Sequence, residues 1–402
     1  MVLLLACQDH TPAIQESDFV PLANDTLVPA NKVKVITKKG KIRTSTRRSS
    51  IYTQSPLDTF AFPIIDDLSL KGLHRQKRLL TKTRKPYNQQ IGDLRIDHRQ
   101  LVETVDILER WQHLIPVGLE QDLAAHQIWG KDRKGNVKFT AYFSPVVPVS
   151  KRKTAIYKYP ILSRPSAFSG RLPDRRAVEQ GALDTVTYHL AYAATKADIY
   201  YMQLQGSAYV EYRDGTKELF AFAGDNNHPY RSIEVYLADN SKRFGIADVS
   251  MNGIKRYLQR NPLLVDSILN QNPSYTFFRK SKSALMGAGL VPLEEDISIA
   301  VDPRYIPLGS CLLASVPIVD SKSNVLRHEY RILFAQDTGG AIKGAGRVDL
   351  YFGVGDEAAE RANNFNVYGR LWLLLPKQNP KPLLYSSLDK ADEQFSAHST
   401  KF

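Results

Sequence analysis

Two aspartates stand where a fold has little use for a carboxylate. In the stretch FAQDTGGAIKGAGRVDLYFG at residues 334–353, Asp337 closes one apolar strand and Asp349 interrupts another, with a glycine-rich connection between them. Strand alternation over 348–352 sets Val348 and Leu350 on one face and Asp349 and Tyr351 on the other, so Asp349 faces either water or a cleft. In a partly buried cleft its carboxyl would titrate upward, as an acid catalyst working near neutral pH requires. On these residues alone an ion pair of Asp349 with Lys343 or Arg347 is an equal alternative. Gly339, Gly340, Gly344 and Gly346 permit positive φ or a close approach to a ligand, but such glycines also simply make turns. Asp337-Thr338-Gly339 matches the local signature of aspartic proteases, in which two carboxylates share a proton. A single-chain protease needs a second Asp-Thr/Ser-Gly, and this sequence has none.

A second polar concentration is QLQGS at 203–207 with GDNNHPYRSI at 224–233. Its amides, hydroxyls and aromatic rings suit glycans, which offer many hydrogen-bonding groups and apolar ring faces. A polar turn between strands accounts for the same residues.

The elements that must carry these groups are mixed. Leu101, Val105, Leu108 and Trp111 recur at helical spacing behind Asp97, a plausible N-cap. Residues 139–147, 199–205, 209–212 and 219–223 read as extended, with Asp214-Gly215 as a hairpin turn. A helix through Met251, Ile254 and Leu258 breaks at Asn261-Pro262 and resumes at Val265. From 297 to 375 the chain is mostly strand, with one short helix near 356–362, and a barrel-like core is expected.

The 402 residues exceed what one core of roughly 250 to 300 residues accommodates, so two packed domains are expected. No run approaches the roughly 18 apolar residues of a membrane span. Net charge is +13, but residues 1–90 hold 15 Lys and Arg against 7 Asp and Glu, which leaves +5 for the other 312 residues. That dilution argues against nucleic acid as a partner. The basic, Ser/Thr-rich tract at 32–50 reads as a tether. Nine histidines and two cysteines, Cys7 and Cys311, show no metal-ligand spacing, so neither metal nor cofactor is expected. Cys7 either pairs with Cys311 or ends Leu4-Leu5-Ala6-Cys7, which resembles the lipobox of bacterial lipoprotein precursors. The apolar run before it is shorter than a signal core of about 7 to 15 residues, so an apolar N-terminus without function is a third reading.

Taken in order, eight motifs resemble the membrane-bound lytic transglycosylase A family of bacterial cell-wall enzymes. They are FTAYFSP at 139–145, YPI at 159–161, RLP at 171–173, YMQLQGS at 201–207, GDNNHPYRSI, NPSYTFFR at 272–279, SIAVDPRYIPLGS at 298–310 and the stretch 336–353. The resemblance covers about residues 95–376. The chain departs from the family at Ala208, where Gly is usual, and at Asn226-Asn227, where Asn-Gly is usual, which bears on loop shape.

The resemblance implies a mainly β fold with some α: a double-psi β-barrel domain from 76–144 and 283–380, and an inserted smaller β-rich glycan-binding domain at 145–282 with a groove between them. Residues 1–75 are then lipobox and tether, and 381–402 an irregular tail. It implies that Asp349 is catalytic with Asp337 as its companion, and that Thr140, Tyr142, Gln205 and Ser207 line the groove. The implied reaction cleaves peptidoglycan glycan strands between N-acetylmuramic acid and N-acetylglucosamine, the muramoyl C6 hydroxyl closing a 1,6-anhydro ring with one carboxylate as acid and then base. An inverting hydrolase using Asp349 and Asp337 and a non-catalytic wall-binding module are the alternatives. The implied setting is the periplasmic face of a Gram-negative outer membrane, with lipid held through Cys7; other cell-wall enzymes stay open as partners.

Overall fold

The computed structural model describes residues 32–36, 42–46, 51–55, 57, 62–130, 135–166, 171–363 and 365–377. Cys7 and the tail at 381–402 lie outside them, and with Cys7 the choice between a disulfide and a lipid anchor. Lys32–Ile36 (β1) and Ile42–Thr46 (β2) pair antiparallel as a separate ribbon. Then come Tyr52–Ser55 (β3), helix Asp67–Lys82 (α1), the hairpin Asn88–Ile91 (β4) and Leu94–Asp97 (β5), helix His98–Arg110 (α2), and strands Leu123–Ile128 (β6) and Val137–Ser144 (β7).

The expected tether to residue 75 is corrected by this arrangement: β1 and β2 form a ribbon within it, β3 pairs antiparallel with β6, and α1 begins at Asp67. The Asp66 carboxylate accepts the Ser69 N–H at 2.8 Å and starts the helix. Its buried stripe is Ser69, Gly72, Leu73, Gln76, Leu79 and Leu80. Polar and small members in that stripe hide the apolar period on which a sequence reading depends. By contrast α2 begins as its sequence signals, with Asp97 accepting from Gln100 N–H and the Gln100 side chain accepting from Asp97 N–H.

The middle of the chain supplies a six-stranded sheet from Val146–Ser150 (β8), Tyr159–Leu162 (β9), His189–Ala193 (β10), Ala208–Tyr212 (β11), Lys217–Asp225 (β12) and Thr276–Ser281 (β13). Helices Lys196–Gln205 (α3) and Met251–Arg260 (α4) accompany it. Residues 199–205, expected as a strand, lie in α3. Thr195 caps its start and Gly206, at φ 81°, ends it in the left-handed region. Ala197, Ile199, Tyr200, Tyr201, Met202 and Gln203 are all buried, with Ile199 and Met202 in one apolar cluster and Tyr200 and Tyr201 in another. A helix buried on both sides loses its polar face, and so its periodicity.

The rest returns to the first sheet as Ser298–Val301 (β14), Cys311–Val319 (β15), Val325–Thr338 (β16), Arg347–Val354 (β17), helix Asp356–Asn363 (α5) and Asn366–Pro376 (β18). Strand order β15-β16-β14-β17-β7-β18, closed by pairing of β15 with β18, makes a six-stranded barrel, and β6 and β3 extend it from β18. β14 runs parallel to β16, and β7 parallel to β17. Phe139, Ala335, Val348 and Leu350, fully buried, share the face turned to its interior. The structure is thus the expected β-rich barrel with a smaller β-rich unit inserted.

Helix α1 seals one side of the barrel through Gly72, where an added Cβ would stand 2.0 Å from a ring carbon of Phe334. Gly72→Ala must move the helix or the ring, and is expected to cost about 1–3 kcal/mol. The readout is a lower urea midpoint at unchanged slope; wild-type stability would show that α1 does not bear on Phe334.

Candidate active site

One rung of the barrel collects the chemistry. Ala300 on β14 is the register partner of Asp337 on β16 and of Asp349 on β17, and Asp349 is in turn the partner of Thr140 on β7. In-register residues share a face, so Asp337, Ala300, Asp349 and Thr140 stand in a row, the aspartate Cα atoms roughly 10 Å apart across one intervening strand. Val348 and Leu350 point into the barrel, as alternation requires, which turns Asp349 and Tyr351 to its outer surface.

Asp337 reaches the same surface by a different route. Ile299 pairs with Ala335 but Ala300 pairs with Asp337, so Gln336 is an extra residue, a β-bulge. Ala335 is buried in the barrel core. Without the bulge Asp337, two residues on, would share that inward face.

The two carboxyls are both half-buried and differ in their partners. Asp337 is saturated: Oδ1 accepts the backbone N–H groups of Ala288 and Thr338, each at 2.8 Å, and Oδ2 accepts the Tyr142 hydroxyl at 2.9 Å. Asp349 accepts one hydrogen bond, from the Thr140 hydroxyl to Oδ1; among the described residues Oδ2 has no partner. Burial pushes both carboxyls above the ordinary range. At Asp337 the three donors oppose it, and at Asp349 the Arg347 charge and the Thr140 hydroxyl do. Neither Lys343 nor Arg347 forms an ion pair with Asp349: Arg347 donates instead to Ala341 O at 3.2 Å and Thr140 Oγ1 at 3.4 Å.

Of the other residues expected in the groove, Tyr142 stacks against Tyr351, ring centroids 5.2 Å apart, and Tyr351 shares a hydrogen bond with Ser144. Gln205, the last residue of α3, accepts the Phe143 N–H and so ties the insert to β7 beside Tyr142. Ser207 accepts the Phe222 N–H within the insert and makes no contact with either aspartate. Tyr142, Tyr209, Leu219, Ala221, Leu285, Leu293 and Tyr351 form an apolar cluster that joins the insert sheet to the barrel at this point.

The polar segment 224–233 joins β12 to a helix that begins at Ile233, and one of its residues has a structural role. Asn226 is fully buried, donates to Pro173 O and Pro273 O and accepts the Tyr275 N–H, so it staples three segments together.

Two contributors escaped the sequence. The Ala288 N–H reaches Asp337 because Gly287 has no side chain; a Cβ there would stand 2.5 Å from Gln336 O and 3.2 Å from Asp337 Cβ. Asp302 is buried, gripped by the Arg304 guanidinium and accepting the Gly344 N–H at 2.8 Å, which holds its carboxyl well below the usual range and anchors the glycine-rich loop. MGAG at 286–289 and the Asp302 within SIAVDPRYIPLGS were the available signals.

Comparison with known proteins places this geometry. Residues 138–279 match the MltA specific insert domain and residues 297–375 the 3D domain. Membrane-bound lytic murein transglycosylase A of Escherichia coli K12 is 40% identical over 254 residues, 62% of this chain and 68% of that one. The chain belongs to the membrane-bound lytic murein transglycosylase A family. The Vibrio cholerae member is 36% identical over 265 residues, 64% of this chain and 70% of that one. The crystal structure of E. coli MltA with bound chitohexaose superposes with TM-score 0.69 at 30% identity, over 82% of this chain and 96% of that one. A membrane-bound lytic murein transglycosylase structure from Agrobacterium tumefaciens gives 0.64 at 27% identity, over 77% and 93%. Thr140 and Tyr142 fall in the first matched region and Asp337 and Asp349 in the second, so both family segments contribute to one rung.

A carboxyl whose folded pKa lies above its unfolded value of about 3.9 leaves the fold most stable where it is protonated, and costs stability as pH rises through the folded pKa. Asp349→Asn keeps the shape and cannot ionise. It is expected to melt higher than wild type at pH 7 and equally at about pH 3.5, by calorimetry. An unchanged difference at both pH values would mean that Asp349 is not a penalised buried charge.

Proposed function

We propose that the protein is a peptidoglycan lytic transglycosylase that cuts the β-1,4 bond between N-acetylmuramic acid and N-acetylglucosamine, with Asp349 as acid and then base. The observation that carries this reading is the asymmetry of the two carboxyls. Asp349 is raised by burial and its Oδ2 has no partner among the described residues, so it can be protonated and offer that proton to a glycosidic oxygen. Asp337 has every donor it needs to stay a fixed acceptor, which suits a group that orients Tyr142 and the residues around 288.

The chitohexaose bound to the E. coli relative supports a glycan strand as the ligand here, lying along the rung between barrel and insert. Proton donation from Asp349 leaves an oxocarbenium-like muramoyl sugar. The Asp349 carboxylate then takes the proton of that sugar's own C6 hydroxyl, whose oxygen attacks C1 and closes the 1,6-anhydro ring. The bond broken and the bond formed balance without water. A nucleophile carried by the substrate gains the large effective molarity of intramolecular attack, so a second catalytic carboxylate is dispensable. Thr140 and Tyr142 belong to this site through the aspartates; Gln205 and Ser207 shape its insert side.

Running wild-type enzyme on purified glycan strands in ¹⁸O-water should give 1,6-anhydromuramoyl ends with no label, and Asp349→Asn should lose at least about a hundredfold in rate. One ¹⁸O per cut would make water the nucleophile, and the enzyme an inverting hydrolase with Asp337 as base.

The relatives' names describe membrane-bound proteins, and among the described residues no helix is long and apolar enough to cross a membrane. The lipobox-like Leu4-Leu5-Ala6-Cys7 supports attachment by lipid at Cys7, and Gln8 after it, rather than aspartate, supports the periplasmic face of the outer membrane. Cys7→Ser is expected to leave the membrane fraction. Its recovery there alongside wild type would refute the anchor. One acyl chain binds only marginally, so lipoprotein-type multiple acylation is the adequate form.

A further inference from the structure

We propose that Arg347 is a positioning residue: by donating from Nη2 to the Thr140 hydroxyl oxygen it commits that hydroxyl's one proton to Asp349 Oδ1, and so assigns the catalytic proton to Asp349 Oδ2. This rests on the reading of Asp349 as the acid given above. Thr140 has two acceptors within reach, Asp349 Oδ1 and, at 3.4 Å, Val348 O. If its proton turned to Val348 O, the Asp349 proton could lie on Oδ1 against Thr140, leaving Oδ2 without one. Two features oppose that state. Val348 O, at 3.4 Å, is farther from the hydroxyl than Asp349 Oδ1, its closest acceptor. The guanidinium at 3.4 Å from Thr140 Oγ1 polarises the hydroxyl, making it a stronger donor and a poorer acceptor.

Arg347 is itself held. Its Nη1 donates to Ala341 O in the glycine-rich loop, 3.2 Å away, and that loop is anchored at Gly344 by Asp302. The chain of contacts therefore runs from loop to Arg347 to Thr140 to Asp349, across the adjacent strands β17 and β7. The same cation steadies the Asp349 carboxylate once the proton has left, without pairing with it directly and removing it as an acid.

The test is kinetic, on the full chain with glycan strands. R347M is expected to lower kcat about tenfold, as misorientation of a retained acid does, with KM nearly unchanged. Loss of the cation raises the Asp349 pKa, so the alkaline limb of the kcat/KM profile moves to higher pH. T140V should do the same, T140S should restore both, and R347M/T140V should be little worse than T140V alone, since the two act through one hydroxyl. R347K keeps the charge but cannot hold Ala341 O and Thr140 Oγ1 together; it should keep the pH limb and lose part of kcat. If circular dichroism shows R347M unfolded, R347K decides, and wild-type kcat in R347K overturns the proposal. So does an R347M enzyme with wild-type kcat and pH limb, or multiplicative losses in the double variant. Asp349→Asn separates the two levels: activity retained in it sinks the reading of Asp349 as the acid, whereas an inactive Asp349→Asn beside an unaffected R347M sinks this inference alone.

Discussion

One inserted residue in β16 sets the terms for the whole site. A strand that enters the barrel with Ala335 facing inward cannot present Asp337 outward unless it gains a residue, and Gln336 is that residue. A bulge is stable only if its extra backbone and side chain find partners in the interior. Gln336 is fully buried; its amide oxygen accepts from Ser298 Oγ at 2.7 Å, its amide nitrogen donates to Gly72 O, and its carbonyl accepts the Gly289 N–H at 2.9 Å. Helix α1, strand β14 and the 287–289 segment are thereby fixed relative to one another. Two of these contacts need glycine, because Gly72 lies against Phe334 and Gly287 against Gln336 O. The segment so placed then supplies the Ala288 N–H to Asp337.

The bulge also explains why two carboxylates in one row take different roles. Asp337 sits just past it, where the kinked strand and the 287–289 backbone surround it with donors that favour the charged form. Asp349 lies in a regular part of β17, where flanking N–H groups are used in the ladder and only a side chain, Thr140, is free to reach it. Against the three donors of Asp337, Asp349 has one hydroxyl donor and a nearby guanidinium to oppose its burial, and its Oδ2 is left without a partner among the described residues. A pair built for acid and base on either side of a water would need its second carboxylate free to accept a proton from that water, and Asp337 is committed to Tyr142 and two backbone groups.

Much of this was legible in the sequence where a local rule and the fold agree. The Asp97 cap, the break at Asn261-Pro262 and the alternation around Asp349 all read correctly, because cap chemistry, proline geometry and strand period act over a few residues. What failed was whatever depends on distant partners. Helix α3 was read as a strand because both of its faces are buried, each in a different apolar cluster. The first part of helix α1, to residue 75, was absorbed into a tether because Gly72 and Gln76 occupy the helix's buried stripe, and their reason for being there is Phe334 and Ser310, more than two hundred residues away in the chain. Asn226, within a segment whose polar groups suit glycans, is a staple. In the site itself the aspartates were visible as carboxylates out of place, whereas the bulge was not, since glutamine in an apolar strand carries no mark of an extra residue.

Ala300 completes the logic of the row. It stands between the two aspartates on the central strand of the three, and it is buried. A longer side chain at that point would project onto the same face, between the two carboxyls. A shorter one would surrender the strand geometry that keeps both aspartates at the same height. The bulge brings Asp337 to the surface, the alternation of β17 brings Asp349 there, and the single methyl of Ala300 sets the gap between them. The site is therefore defined as much by what the middle strand withholds as by what its neighbours present.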